Sequence, residues 1–208
     1  MKKTIILSLV VAAIVSSSCF GIEVLSTGTS IGAEKFAVEA FYSSTSFQLA
    51  DTSIIQYGPR VVYGITGDLD VICKLGFGTA AGINSSTIGG GLKYAFLKVS
   101  ANDPVDLSGL INFESVSGNE YTLGNTSVGI VASKDFLSNI VIYGLANVIM
   151  TSAKVTGLPS SSGTGVQIGA GFKTQIDTEK AFMGELSMYN VDNNTYATVA
   201  LGLQFMLR

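Results

Sequence analysis

IIQYGPRVVYGITGDLDVICKLGFG, from Ile54 to Gly78, is the stretch whose reading decides the fold. On its first arm Ile55, Tyr57, Pro59, Val61, Tyr63 and Ile65 alternate with Gln56, Gly58, Arg60, Val62 and Gly64. Thr66-Gly67-Asp68 is turn chemistry. On the second arm Leu69, Val71, Cys73, Leu75 and Phe77 alternate with Asp70, Ile72, Lys74, Gly76 and Gly78. Period-two alternation on both arms predicts a β-hairpin. One face is apolar and carries aromatics. The other mixes glycine with isolated charges. A soluble sandwich hides its apolar face, whereas a membrane barrel turns that face to lipid and keeps small and polar side chains inside. The hairpin alone is consistent with either.

Working outward, similar alternation marks strands at 32–43, 87–98, 105–115, 121–133, 164–174, 180–189 and 195–207. A further segment, 137–150, is apolar on both faces, so its orientation stays open. With the hairpin arms the count is ten, and eight or twelve are the alternatives. The segment 22–30 reads as a short lead-in, 44–52, 79–86 and 151–163 as polar loops, and Lys134-Asp135-Phe136 as a tight turn. Most of the linker charge (Asp68, Asp103, Lys134, Asp135, Asp177 and Glu179) falls after even-numbered strands, which an even count places at the same end as both chain termini. Outward aromatics gather toward both strand ends: Phe36, Tyr63, Phe96, Phe182 and Phe205 at one, Tyr42, Tyr57, Phe77 and Phe113 at the other. Two girdles of this kind suit two membrane interfaces. Pro59 cannot donate to a ladder, so a bulge or irregular pairing is expected there. The predicted fold is all-β: a closed antiparallel up-and-down transmembrane β-barrel of about ten strands.

Composition agrees. Charged residues are 13% of the 208 and apolar residues 47%, with 24 Gly and only 3 Pro. Soluble domains carry roughly 25% charged residues. The net charge of −3 excludes a basic nucleic-acid footprint. Lys2 and Lys3, the apolar run 5–15 and Ser16-Ser17-Ser18 form a signal peptide over 1–21, leaving 22–208 as the barrel domain. Cys19 raises lipidation, but Ser16 stands where a lipoprotein box has Leu. Without Cys19 the mature chain keeps only Cys73, so no intrachain disulfide is available. No later apolar run reaches the length of a membrane-crossing helix, which leaves the barrel as the route into a membrane.

The signal peptide, the turn YGITGDLDV (Tyr63 to Val71) and the closing strand YATVALGLQFML (Tyr196 to Leu207) resemble the small bacterial outer-membrane β-barrels of the opacity-like and porin-like superfamily. That resemblance implies residence in the outer membrane of a Gram-negative cell envelope. It implies outer-membrane lipid as surroundings, and the barrel assembly machinery and periplasmic chaperones as partners in biogenesis. Family members end in an aromatic that the assembly machinery reads. Here Phe205 is followed by Met206, Leu207 and Arg208.

The inward parity collects Lys35, Glu39, Arg60, Asp70, Lys74, Lys93, Asp106, Glu114, Lys173 and Glu185. Six of these, Glu39, Arg60, Lys74, Lys93, Glu114 and Glu185, fall near mid-strand and are the candidate lumen site. One reading is a narrow porin-like path for ions or small polar solutes. The other is a non-conducting structural or surface-interaction barrel, zipped shut by ion pairs and displaying short loops. Enzymatic activity is not expected. The chain contains no His, which removes Ser-His-Asp catalysis and common zinc sites, and no catalytic residue, metal site or cofactor is assigned. The ten-stranded omptin proteases are similar in strand count alone.

Overall fold

The computed structural model describes residues 23–47, 53–80, 82–100, 104–191 and 194–207. The expected signal peptide 1–21, Cys19 and Asp103 lie outside the described residues. Ten strands follow one another: β1 (Phe36–Phe47), β2 (Ser53–Gly64), β3 (Leu69–Ala80), β4 (Ile83–Leu97) and β5 (Asp106–Ser117). Then come β6 (Tyr121–Leu137), β7 (Ile140–Val155), β8 (Ser161–Gln175), β9 (Lys180–Val191) and β10 (Asn194–Leu207). Each pairs antiparallel with its sequence neighbours, and β1 closes on β10, with Phe36 opposite Leu207 and Ser43 opposite Ala200. Closure leaves no open sheet edge.

The alternation expected from the sequence holds around the wall. Leu75, Ile88, Ile111, Phe113, Ile168 and Leu186 stand exposed on the outside, while Glu39, Arg60, Lys74 and Glu185 are buried inside. β7 takes its orientation from its neighbours. Tyr143, Leu145, Asn147 and Ile149 point inward, and Ile142, Val148 and Met150 outward. Tyr42, Tyr57 and Phe77 lie side by side across β1, β2 and β3. Near the other end Phe36 faces Tyr63 at 6.5 Å between ring centroids, and Phe172 faces Phe182 at 5.9 Å. So extensive an exposed apolar belt far exceeds the patches a soluble protein shows, and it suits lipid. Cys73 sits exposed on that outer face. Among the described residues no helix is long and apolar enough to cross a membrane.

Several boundaries differ from the sequence reading. β1 begins at Phe36 rather than at 32, so Lys35 lies exposed outside the strand instead of pointing into the lumen. β3 and β4 extend to Ala80 and from Ile83, so most of 79–86 is strand. β7 and β8 leave only 156–160 of the expected loop 151–163. β6 continues to Leu137 with a register shift between Asp135 and Leu137, and the turn falls at 138–139. The extensions of β3, β4, β7 and β8 are rich in Ser and Thr. They pair through their backbones and do not need an apolar outer face, so alternation gave no sign of them. At Pro59 the β2–β3 ladder lapses over Gly58 and Pro59 and resumes in the same register at Arg60, opposite Lys74. The pairing is irregular there, without a bulge.

Candidate functional site

The barrel's two ends differ. One, the terminal end, carries the start of β1, the last residues of β10 and the connections 65–68, 98–105, 138–139 and 176–179. The other is the far end. Residues 23–30 do not lead in from outside. They run inside the lumen from the terminal end to mid-barrel, and Glu23, Val24, Leu25, Ser26 and Thr27 are all buried. Gly32, at φ +96°, and Glu34, at φ +60°, turn the chain from this inserted segment into β1.

The inserted segment has no regular secondary structure. Its buried backbone groups therefore need partners from the wall, and the inward charged residues supply them. The Glu185 carboxylate accepts from the N–H groups of Val24 and Leu25 at 3.1 and 2.7 Å. Arg60 donates to the carbonyls of Val24 and Leu25 at 2.6 and 2.5 Å. Lys93 donates to the carbonyls of Thr27 and Thr29 at 3.3 and 2.6 Å and to the Ser26 hydroxyl at 2.9 Å. The Ser133 hydroxyl accepts from Gly28 N–H, and the Ser108 hydroxyl donates to the Gly28 carbonyl. Gly28 passes so close to β5 that a Cβ there would stand 2.6 Å from the Asp106 carbonyl. Asp70 accepts from Ser30 Oγ at 2.6 Å and from Ile31 N–H.

The charges also neutralise one another. Arg60 pairs with Glu39, whose other oxygen accepts from Gln204 at 2.6 Å. Lys74 joins Glu114, at 2.6 Å, to Glu23 of the inserted segment and lies 4.5 Å from the Phe41 ring centroid. Lys93 pairs with Asp70 at 3.1 Å. All six candidate lumen residues thus point inward and are buried. They are bound to the wall and the inserted segment rather than lining an open path. Breaking one such buried pair leaves an uncompensated charge, at roughly 3–5 kcal/mol.

Toward the far end the lumen changes character. Ile54, Ala80, Val116, Tyr121, Leu123, Ala153 and Val155 form one buried cluster. Ile149, Tyr189, Val191 and Tyr196 form a second. Between these and the charged zone lie paired polar side chains, with Asn147 donating to Gln167 at 2.7 Å and Thr45 and Thr198 sharing a hydrogen bond. The lumen is therefore occupied in succession by the inserted segment, a polar layer and an apolar stack.

Two things escaped the sequence reading: the inserted segment and the apolar stack. Segment 22–30 is short and has no period. A signal did exist. Eight strands already enclose an interior that side chains just fill, so ten strands with many inward glycines leave space for something else. At Gly202 that space is taken by Leu25, whose Cδ1 would lie 3.3 Å from an added Cβ. Among the described residues no group of acidic, Cys or His side chains could hold a metal ion.

No protein-family model matches the sequence, and no curated protein matches it. Among solved structures the chain is similar to bacterial outer-membrane barrels. With the outer-membrane protease OmpT of Escherichia coli it shares 6% identity at a TM-score of 0.50, over 83% of this chain and 95% of that one. With neisserial surface protein A it shares 11% identity at a TM-score of 0.45, over 82% and 95%. With the N-terminal β-barrel domain of Pseudomonas aeruginosa OprF it shares 15% identity at a TM-score of 0.42, over 85% and 99%. At such identities the likeness concerns architecture. The architecture is that of a bacterial outer-membrane β-barrel, closed, antiparallel and up-and-down.

Proposed function

We propose that this outer-membrane barrel is sealed and non-conducting, a structural element of the envelope that presents short connections outside. Its terminal end faces the periplasm and its far end the exterior. One observation carries the reading: the inward charges that would line a pore instead hold the backbone of residues 23–31 inside the lumen. The apolar stack at the far end supports it, because an ion crossing there would trade its hydration for a packed, largely apolar layer without a charged side chain. Lipid around the belt is the permanent partner, and the barrel assembly machinery and periplasmic chaperones act during biogenesis. No enzymatic step is proposed, since a chain without His lacks the usual general base.

Planar-bilayer recording tests this. The refolded protein is expected to give no steady unitary conductance. Glu39→Ala and Arg60→Ala leave the apolar stack in place and are expected to give none either. A steady unitary conductance from the unsubstituted protein would restore the porin-like reading.

A further inference from the structure

Between the inserted segment and the wall, at the terminal end, lies a cavity of about 250 Å³. Lys173, Gln175 and Thr178 line one side, Gln204 the other, with Leu25 and Met183 between. Two polar groups there have no partner. Lys173 makes no ion pair or hydrogen bond with any described residue, alone among the inward lysines. The Gln204 Oε1 is buried without a donor, while its Nε2 is committed to Glu39.

The other charged groups at the cavity are already committed: Glu39, on its lining, to Arg60 and Gln204, and Lys93 to Asp70, so none of them bonds to Lys173. The wall geometry fixes the spacing. Lys173 is opposite Met183, and Met183 is opposite Gly202, so the three form one row across β8, β9 and β10. Strands lie about 4.8 Å apart, which puts Lys173 and the Gln204 strand about 10 Å apart. Gly202 contributes no side chain to that span.

We propose that this cavity is a binding site for a small hydroxy-carboxylate. The carboxylate meets the Lys173 ammonium, the ligand hydroxyl donates to Gln204 Oε1, and a short carbon body lies against Leu25 and Met183. The cation selects an anion, and the buried orphan acceptor selects one that also carries a donor. The site opens toward the rim at Gln175 and Thr178, so the ligand enters without disturbing the seal, and the inference stands apart from the conductance reading.

Isothermal titration of the full refolded protein in detergent micelles, with 3-hydroxybutyrate as probe, tests the site. Saturable one-to-one binding is expected. Butyrate, which lacks the donor, is expected to bind about threefold or more weakly, and Lys173→Met to weaken binding at least about tenfold, while Lys173→Arg stays within about threefold. Absence of saturable binding, or equal binding by folded Lys173→Met, would overturn the proposal. If Lys173→Met fails to fold, the unsubstituted protein still decides. The probe is expected to slow acylation of Lys173 by a small amine-reactive acyl donor such as acetic anhydride, read by peptide mass spectrometry, relative to the exposed Lys154 on the far end. Equal protection of both lysines, or of neither, would refute the site.

Discussion

The wall at bilayer level and the wall at the far end are the same ladder with opposite polarity. At bilayer level Leu75, Leu92, Ile111 and Leu186 point out, and Glu39, Arg60, Lys74 and Glu185 point in. Farther along the same strands Asn84, Ser152, Lys154 and Asn190 point out, and Ile54, Leu123, Ala153, Val155 and Val191 point in. The strands do not break where the polarity turns over. What changes is the medium outside. Lipid accepts apolar side chains and leaves the charges to the interior, while water beyond the bilayer reverses the preference. The far end is thus built as a soluble barrel, with its own apolar core, on top of a membrane one.

Substitutions in the two zones break or sharpen this contrast, and urea unfolding of the refolded protein, followed by heat-modifiable migration, reads each. Arg60→Met removes the donor that faces Glu39, the Val24 carbonyl and the Leu25 carbonyl at once. The expected loss is about 3–5 kcal/mol. A loss below about 1 kcal/mol would mean that the inserted segment contributes little to the fold. Leu123→Ala empties part of the far-end core and is expected to lose about 3 kcal/mol. That is the behaviour of a soluble core, which a water-filled outer vestibule would not show.

An arginine scan of the outer face locates the change of medium. Leu75→Arg, at mid-strand among lipid-facing residues, is expected to lose about 2–4 kcal/mol. Asn84→Arg, on the same face of the neighbouring strand but beyond the belt, is expected to stay within about 0.5 kcal/mol. Similar losses at both positions would place the far end within lipid. The smallest effect is at the terminal-end turn. There the Asp177 carboxylate accepts from the N–H groups of Glu179 and Lys180, each at 2.8 Å, and pairs with Lys180. The backbone N–H of Glu179 is the main cause that holds its pKa below the usual aspartate value. A depressed folded-state pKa contributes stability at neutral pH that is lost as pH falls through the folded value. The gap in unfolding midpoint between the unsubstituted protein and Asp177→Asn should therefore narrow below about pH 4. A gap independent of pH would assign the turn's stability to its backbone alone.

Much of the fold was legible. The alternation of Tyr57, Pro59 and Val61 against Gly58 and Arg60 could be read because lipid demands an unbroken apolar face. The far-end strand extensions were not legible, since Asn84, Ser86 and Ser152 answer to water and read as loop. The six lumen residues were found by parity, but their roles were not. Parity says that Arg60 and Glu185 point inward; it says nothing about a backbone waiting between them.

From its sequence alone this protein is a closed antiparallel barrel of about ten strands, with Glu39, Arg60, Lys74, Lys93, Glu114 and Glu185 inside. Alternation, turn chemistry and sparse charge are local signals, and a barrel wall is a repetition of local signals. Only the tertiary structure decided what fills the lumen. Glu23 meets Lys74, Leu25 meets Gly202, and the Val24 N–H meets Glu185 across 161 residues of chain. Contacts of that separation follow from the interior width that ten closed strands create, and no window of sequence contains that width.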